Sequence, residues 1–330
     1  MESEFSFTDA SILLDAPTPR ARLFFQKLGR ALLRLIISLW VLITLCFFLV
    51  RVIPGDPFQD EQGVPPVVLC ALRQKWGLDQ PLSTQYFSYV NLLLHGDLGT
   101  SMRYPSESVA KIIARGFPIS CFFGFQALCI AIPFGIFLGG LSAYYANRRF
   151  DIVATLGATL GVSVPSFVIA ALLQLVLATY VPLFPVARSD SFWHTILPSL
   201  ALALGPTCSI MRLMRANVLD ILSKEWVVTA RMKGLSEWNV LFYHVVPNAF
   251  LPVAHYIGPT IANLLVGSFV VERVFGIPGL GQWFVNGVIS RDYSVISGLT
   301  LFYSLILFLV HSSINFITIL FDPRMEKNEV

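Results

Sequence analysis

The chain has 330 residues, of which 55% are hydrophobic and 13% are charged. Soluble domains have about 45–50% apolar and about 25% charged residues, so this composition indicates a membrane protein. The formal net charge of +3 is too small to support a nucleic-acid-binding role. The five cysteines lack the spacing of a metal-binding motif, and no structural disulfide is expected.

Residues 1–27 contain several polar and acidic positions together with Pro17 and Pro19, and no secretory signal is visible there. We expect this region to be a flexible extension on the cytoplasmic side of a membrane. Its few apolar residues do not form a span.

Six later stretches have the roughly 20 apolar residues that a membrane-spanning helix requires. Pro165 interrupts the third stretch, which is tolerated because neighbouring helices can satisfy the freed backbone groups. The sequence therefore predicts an all-α integral membrane protein with six transmembrane helices. These are expected at residues 31–50, 118–145, 152–180, 195–211, 249–271 and 293–320.

The segment between the first two predicted spans is mixed and polar. It begins with a turn that contains Pro54 and Pro57, neither of which can continue a helix. The segment is too long for a loop without structure of its own, so we expect a small ordered subdomain. Two short helices are predicted in it, near residues 66–76 and 82–94.

The distribution of Lys and Arg predicts the orientation, because these residues accumulate in short cytoplasmic loops. With both termini in the cytoplasm, 14 of the 23 basic residues lie on that side. Six of the other nine lie in the segment 51–116, and long segments count less in this rule. We therefore expect the termini and the 212–247 loop to be cytoplasmic and the segment 53–116 to be external.

Ionisable residues are rare in the predicted spans, where His255 and His311 are the two histidines. Proton-coupled carriers use buried charged groups as relays, and two isolated histidines are more typical of polar contacts between helices. The sequence has no Gly-Lys dipeptide, hence no ATP-binding P-loop, and no His-Glu-x-x-His metal motif. We expect no catalytic residue, metal or cofactor, so energy for active transport would come from another subunit. A membrane enzyme or proton-coupled carrier is the less favoured alternative.

The loop between the fourth and fifth predicted spans is expected to form two short helices joined at Gly234. Ser223 and Ser236 suit N-cap positions, Gly234 suits the left-handed residue that ends a helix, and Pro247 is expected to bound the second helix. The unit either lies on the lipid surface or seats in a groove of a partner protein, and the residues favour neither alternative. Its apolar residues include Trp226, Met232, Leu235, Trp238, Leu241 and Phe242.

The residues from Thr229 to Ser236, with Val240, His244 and the segment 246–249, resemble the conserved cytoplasmic loop of ABC importer permeases. The match is to the branch that imports oligopeptides, dipeptides or nickel. Further blocks resemble the same branch in the same order, over about residues 28–325, which makes the resemblance specific. These blocks are residues 53–57, 77–81, 96–101, 278–281, 291–293 and 322–324.

The resemblance implies a type I ABC importer permease fold that moves oligopeptides or dipeptides across the bacterial inner membrane. Nickel or glutathione is the alternative solute. The implied partners are a second homologous permease, two ATP-binding subunits that hydrolyse ATP, and a periplasmic solute-binding protein. The implied divisions are a first transmembrane helix at 28–52, an external subdomain at 53–116, a core at 117–325 with a coupling loop at 217–247, and a cytoplasmic tail at 326–330.

Three sets of candidate site residues follow from the resemblance and from polarity within the spans. The coupling loop set, expected to contact the ATPase, comprises Trp226, Thr229, Ala230, Arg231, Lys233, Gly234, Leu235, His244 and Pro247. The set expected to form an external gate comprises Phe275, Ile277, Pro278, Gly279 and Gly281, with an ordinary turn as the alternative. The possible pathway-lining residues are Gln126, Gln174, Asn263 and Asn315, each of which is also suited to a contact between helices.

Overall fold

The structure, a computed structural model, describes residues 19–52, 57–58, 66–186 and 191–321. The chain divides into two units, Met1–Leu45 and Cys46–Val330. Helix α1 (Pro19–Val52) begins in the first unit and ends in the second. Its side chains in the first unit include exposed apolar residues such as Ile36 and Trp40, which suit contact with lipid.

Two short helices follow α1, as predicted. They are α2 (Pro66–Lys75) and α3 (Leu82–Leu94). A tight segment then leads into the second long helix, with an isolated bridge between Thr100 and Ser108.

Helix α4 (Val109–Tyr144) is about nine residues longer at its start than the sequence predicted. The extension exists because the Ser108 side chain accepts a hydrogen bond from the Lys111 backbone N–H at 3.3 Å and caps the helix. At about 1.5 Å per residue, α4 is about 54 Å long, which exceeds the thickness of a bilayer core.

The third predicted span is two helices rather than one. Helix α5 (Arg149–Ser163) and helix α6 (Ser166–Gln174), which continues in a π-helical segment (Leu175–Tyr180), meet at an angle of 104°. The bend follows from Pro165, because the residue before a proline is disfavoured in the helical region, and Val164 is extended.

Helix α7 (Phe192–Leu222) extends eleven residues beyond the predicted end of the fourth span. It runs in the same direction as α4, since the glycines of α4 meet residues of α7 in ascending order: Gly135 faces Ile210, and Gly139 faces Met214. Two parallel helices require the chain between them to return to the starting end. The bent pair α5–α6 therefore acts as one span, which gives six candidate spans among the described residues.

The fifth span also begins earlier than predicted. Helix α8 (Glu225–Met232) precedes a continuous helical stretch made of α9 (Glu237–Asn239), a π-helical segment (Val240–Val245) and α10 (Val246–Val266). The expectation that Pro247 bounds a helix is wrong. The helical stretch continues through Pro247, the second residue of α10, which follows directly on the π-helical segment.

The Gly-rich region 272–292 is mostly helical rather than a loop. Helix α11 (Phe269–Phe275) and helix α12 (Leu280–Ile289) are joined by a short turn, and α13 (Tyr293–Phe321) is the last span. These helices were not predicted because Gly276 and Gly279, which flank the short turn, were taken as signs of a longer loop.

Of the four apolar clusters among the described residues of the second unit, two position the candidate sites. One joins α4, α6, α7 and α11 and contains Phe123, Leu197 and Phe275. The other joins α7 and α10 to α8 and the π-helical segment, and it contains Met214 and Val240. The region 225–245 and the α11–α12 pair therefore lie at opposite ends of the parallel helices α4 and α7.

Candidate functional site

The coupling elbow, defined here as residues 225–247, is a helix, a tight bend and a second helix. Its first helix begins at Glu225, whose carboxylate suits the positive end of the helix dipole. The expected cap is wrong: Ser223 ends α7 instead, and its hydroxyl donates to the Asp220 carbonyl at 2.6 Å. Lys224 occupies the N-cap position of α8 without a capping side chain.

The bend is formed at Gly234, which has a φ of +80° as the sequence predicted. Ser236 starts the next helix by accepting a hydrogen bond from the Asn239 backbone N–H at 3.3 Å. Across the bend, Arg231 Nε lies 3.0 Å from Glu237 Oε1. Both side chains are about half exposed, so this ion pair adds little stability.

The inner face of the elbow is buried against α7. Val227 and Ala230 of α8 join Val240 of the π-helical segment in the apolar cluster that contains Met214 and Val218. Because packed interiors have low compressibility, a displacement of α8 is transmitted to α7.

A stack of aromatic rings joins the second helix of the elbow to α4. The Trp238 ring lies 4.9 Å from the Tyr144 ring and 5.5 Å from the Phe242 ring, and Phe242 stacks on Phe137 at 6.3 Å. Trp238 and Phe242 therefore pack within the chain, although the sequence placed them with the apolar residues available to a lipid or partner.

The outer face of the elbow remains apolar and exposed. Met232 is 82% exposed, Trp226 and Val228 are each 44% exposed, and Leu235 is 38% exposed. Of the other coupling-loop residues, Thr229 is exposed and donates its hydroxyl to the Glu225 carbonyl at 3.2 Å. The remaining members, Lys233, His244 and Pro247, lie at or beyond the bend, where Lys233 ends α8 and His244 falls in the π-helical segment.

The turn between α11 and α12 holds the residues expected to form a gate. Phe275 and Ile277 are each 1% exposed, whereas Pro278 is exposed at the surface. Gly276 is left-handed, with a φ of +63°, and ends α11. Phe275 and Ile277 are apolar because they are buried in the cluster between α4 and α7.

A buried carboxyl group at this turn was missed from the sequence. Glu272 is 2% exposed; its Oε1 accepts from the Ser120 hydroxyl at 2.7 Å and its Oε2 accepts from the Gly281 N–H at 2.8 Å. Burial raises the pKa of Glu272, and the hydrogen bonds from Ser120, Gly281 and Gln282 oppose that shift. The sequence sign that could have revealed Glu272 is an acidic residue placed between two apolar pairs, Val270-Val271 and Val274-Phe275, in a region predicted to be a loop.

A second buried charge lies near the elbow. Asp151 at the start of α5 accepts from Arg215 Nε at 2.5 Å and Nη2 at 2.7 Å, from the Ser142 hydroxyl at 2.5 Å and from the Asn147 N–H at 2.9 Å. This bidentate pair joins the ends of α4, α5 and α7. Arg215 adjoins Met214, against which the elbow packs.

Two of the motif blocks that carry the resemblance meet at the opposite end of the second unit. Asp292, 2% exposed, accepts from the Ser101 hydroxyl, and it also accepts from the backbone N–H groups of Arg103 at 3.3 Å and Val295 at 3.2 Å. The blocks 96–101 and 291–293 thus form one contact through Ser101 and Asp292.

The block 77–81 is linked to the same region through Gln85 and the end of α1. The Gln85 side chain donates to the carbonyls of Leu78 and Gln80 at 3.1 and 2.8 Å and accepts from Arg51 Nε at 3.1 Å. The Arg51 guanidinium lies 5.4 Å from the centre of the Tyr293 ring. The short helices of the region 66–94 are thereby attached to the start of α13.

The possible pathway residues do not form one cluster. Gln126 accepts from the Ser199 hydroxyl at 3.1 Å, and Gln174 donates to the Val186 carbonyl at 2.7 Å, so both make contacts between chain segments. Asn263 is exposed and lines a cavity of about 320 Å³ with His311. Asn315 falls in α13, but its side chain lies outside the described residues.

Comparison with known proteins identifies the family. The model of the "binding-protein-dependent transport system inner membrane component" family matches residues 131–327, and the model of its N-terminal region matches residues 24–120. The chain belongs to this family of permeases. It is therefore a multi-pass membrane protein of the type I ABC importer class, as the sequence predicted.

Named relatives cover nearly the whole permease. The dipeptide transport system permease DppB of Bacillus subtilis is 40% identical over 88% of this chain and 94% of its own length. The oligopeptide transport system permease OppB of Salmonella typhimurium is 37% identical over 90% of this chain and 97% of its own length. DppB of Lactococcus lactis is 37% identical over 88% of this chain and 96% of its own length.

Proposed function

We propose that this permease imports oligopeptides or dipeptides across the bacterial inner membrane, driven by ATP that two partner subunits hydrolyse. The observation that carries the coupling mechanism is the elbow, which is buried on one face and apolar and exposed on the other. The relatives named for dipeptide and oligopeptide transport support the class of solute.

The ATPase is proposed to bind the outer face of the elbow. Met232 and Trp226 present apolar surface that a groove would remove from water, and each suits the anchor position of a helix-in-groove contact. The other alternative, contact with lipid, is less favoured because a component of a binding-protein-dependent transport system needs a surface that binds its ATP-hydrolysing partner. The exposed residues Thr229 and Leu235 complete the proposed contact.

The elbow is proposed to face the cytoplasm, together with both termini. This orientation is supported by the excess of basic residues on that side and by the position of the elbow and the α11–α12 turn at opposite ends of α4. The segment 66–108 would then be external, where a solute-binding protein docks.

The α11–α12 turn is proposed to be the external gate of the pathway. Its helices pack on α4 and α7, which also carry the elbow, so closure of the ATPases would reach the gate through the same two helices. A second homologous permease would complete the pathway, and Asn263 is its proposed lining residue because it is exposed at a cavity, whereas Gln126 and Gln174 are used in contacts between segments. Because the spans carry few charges, the pathway would bind solutes weakly, and the binding protein would supply selectivity.

Uptake by the reconstituted complex tests this function. Proteoliposomes that contain the two permeases and two ATPases would be given the binding protein, ATP and one labelled solute at a time. A dipeptide, an oligopeptide, nickel and glutathione form the panel. Accumulation of peptide that requires both ATP and the binding protein is expected; accumulation of nickel or glutathione alone would replace the solute, and accumulation of none would contradict the function.

A further inference from the structure

Helix α11 is bounded by two glycines in the left-handed region. Gly267 has a φ of +85° and Gly276 has a φ of +63°, so both ends of the helix lie at positions that disfavour other residues. Between them, the seven residues of α11 form about two helical turns. Such a segment can move as a body by changes in backbone angles at its two ends.

One side chain of this segment connects it to two other helices. The Glu272 carboxyl group accepts from Ser120 of α4 and from the Gly281 N–H at the start of α12. The Ser120 hydroxyl also accepts from the Leu280 N–H at 3.0 Å, so it contacts both ends of the turn. We call Glu272, Ser120, Leu280 and Gly281 the Glu272 junction.

The chain around the junction is shaped to this carboxyl group. A Cβ added at Gly267 would lie 2.5 Å from Glu272 Oε1, and one added at Gly116 of α4 would lie 2.8 Å from the Leu280 side chain. Larger residues at either position would displace the carboxyl group or separate α12 from α4. The close approach and the hydrogen bonds therefore support each other.

The contacts of the junction divide into two kinds. The bond from Gly281 to Glu272 lies within the α11–α12 pair and is kept if the pair moves as a unit. The two bonds of Ser120 connect that pair to α4 and must break if the pair separates from it. The Ser120 hydroxyl thus makes both of the junction's hydrogen bonds that link the α11–α12 pair to α4.

We propose that Glu272 is a positioning residue of the gate, which holds α11 and α12 against α4 through Ser120 until ATP binding releases them. The inference rests on the proposed function, since it assigns a role within the gate described there. Opening moves the α11–α12 pair about Gly267 and Gly276, while the bond between Glu272 and Gly281 persists.

Labelling of a cysteine at the gate tests this inference in the assembled complex. Ile277→Cys, in a chain whose native cysteines have been replaced, would be treated with an impermeant maleimide without nucleotide and in the ATP-bound state. Ile277 is 1% exposed in the structure, so slow labelling without nucleotide and faster labelling with ATP are expected.

Two further substitutions weaken the junction without changing its fold. Ser120→Ala removes both bonds to α4, and Glu272→Asp shortens the carboxyl arm so that it cannot reach Ser120 and Gly281 together. Each is expected to raise the labelling rate without nucleotide on the order of tenfold, a factor within the range expected for a buried hydrogen bond whose partner is removed. Glu272→Asp decides the question if Ser120→Ala lowers the yield of assembled complex.

The matched control is Ser199→Ala, which removes another fully buried hydroxyl that donates to a different helix. It is expected to label at the parent rate. Parent-like rates for Ser120→Ala and Glu272→Asp, or an equal rise for Ser199→Ala, would overturn the role of Glu272 and leave the gate standing. A parent complex whose Ile277→Cys is labelled equally slowly in both nucleotide states would instead contradict the gate itself.

Discussion

The Asp151–Arg215 pair permits a quantitative prediction about the end of the helices that carries the elbow. Replacing Arg215 with Met keeps a helix-forming side chain of similar length but removes the two donors that bind the Asp151 carboxylate. The Asp151 side chain is 3% exposed, so water cannot replace them. The Arg215 side chain is 25% exposed, so its guanidinium keeps part of its contact with water in the folded chain.

The expected loss of stability is about 3 kcal/mol. Breaking a buried pair by removing one partner costs roughly 3–5 kcal/mol, and the lower end applies because the Ser142 hydroxyl and the Asn147 N–H still bind the carboxylate. The double variant Arg215→Met, Asp151→Asn removes the uncompensated charge and is expected to recover at least about 1 kcal/mol of this loss.

Equilibrium unfolding in mixed detergent micelles measures both variants against the parent chain. Arg231→Met is the matched control, since its exposed pair with Glu237 is worth about 0–1 kcal/mol. The reasoning would be refuted if Arg215→Met lost no more stability than Arg231→Met. It would also be refuted if the double variant were less stable than the single variant Arg215→Met.

Three further predictions concern the two ends of the permease. Cys70, exposed in α2, is expected to react with an impermeant maleimide added outside intact cells. Met232→Cys, in a permease without its ATPase partners and with Cys70 replaced, should react only in inverted vesicles; the reverse pattern would overturn the orientation. Trp226 and Trp238 are nearly equally exposed, but of the two only Trp238 stacks on another ring among the described residues. Trp238→Ala should therefore lower the thermal unfolding midpoint, whereas Trp226→Ala should lower ATPase binding alone. Ser101→Ala leaves the buried Asp292 with one donor fewer and is expected to cost about 1–3 kcal/mol in the same unfolding assay; no loss would show that the contact is dispensable.

The spans were predictable because a bilayer core demands long apolar runs, and such runs are visible in one sequence. Their ends were not predictable in the same way. Arg212 and Arg215 were read as the start of a loop, yet α7 continues to Leu222, and within it Arg215 pairs with the buried Asp151. The partner lies 64 positions earlier, and no local pattern connects the two residues.

Prolines and glycines were harder to interpret than apolar runs. Pro165 was recognised as an interruption of the third span, but the size of the bend, 104°, was not predictable from the proline alone. Pro247 was read as a helix boundary, but the helical stretch continues through it from the π-helical segment into α10. Local rules give the positions where the backbone can change, and tertiary packing decides whether it does.

The elbow was the part of the site that sequence reasoning described best. Gly234 and Ser236 play their predicted roles because caps and left-handed bends are set by local chemistry. The division of its apolar residues into an inner and an outer face required the structure, since Trp238 is directed to Tyr144 of a distant helix. Glu272 was missed for the same reason: its partner Ser120 lies 152 positions away.

The most direct test of the account is the peptide-stimulated ATPase activity of the reconstituted complex, measured with the parent chain and with Gly234→Asp. A Cβ at Gly234 would meet no atom within 4 Å, so the variant is expected to insert and assemble. The aspartate places strain and a charge at the bend beside the proposed ATPase contact. The account predicts that peptides stimulate the parent complex and that stimulation disappears in Gly234→Asp, and full stimulation in that variant would contradict coupling through the elbow.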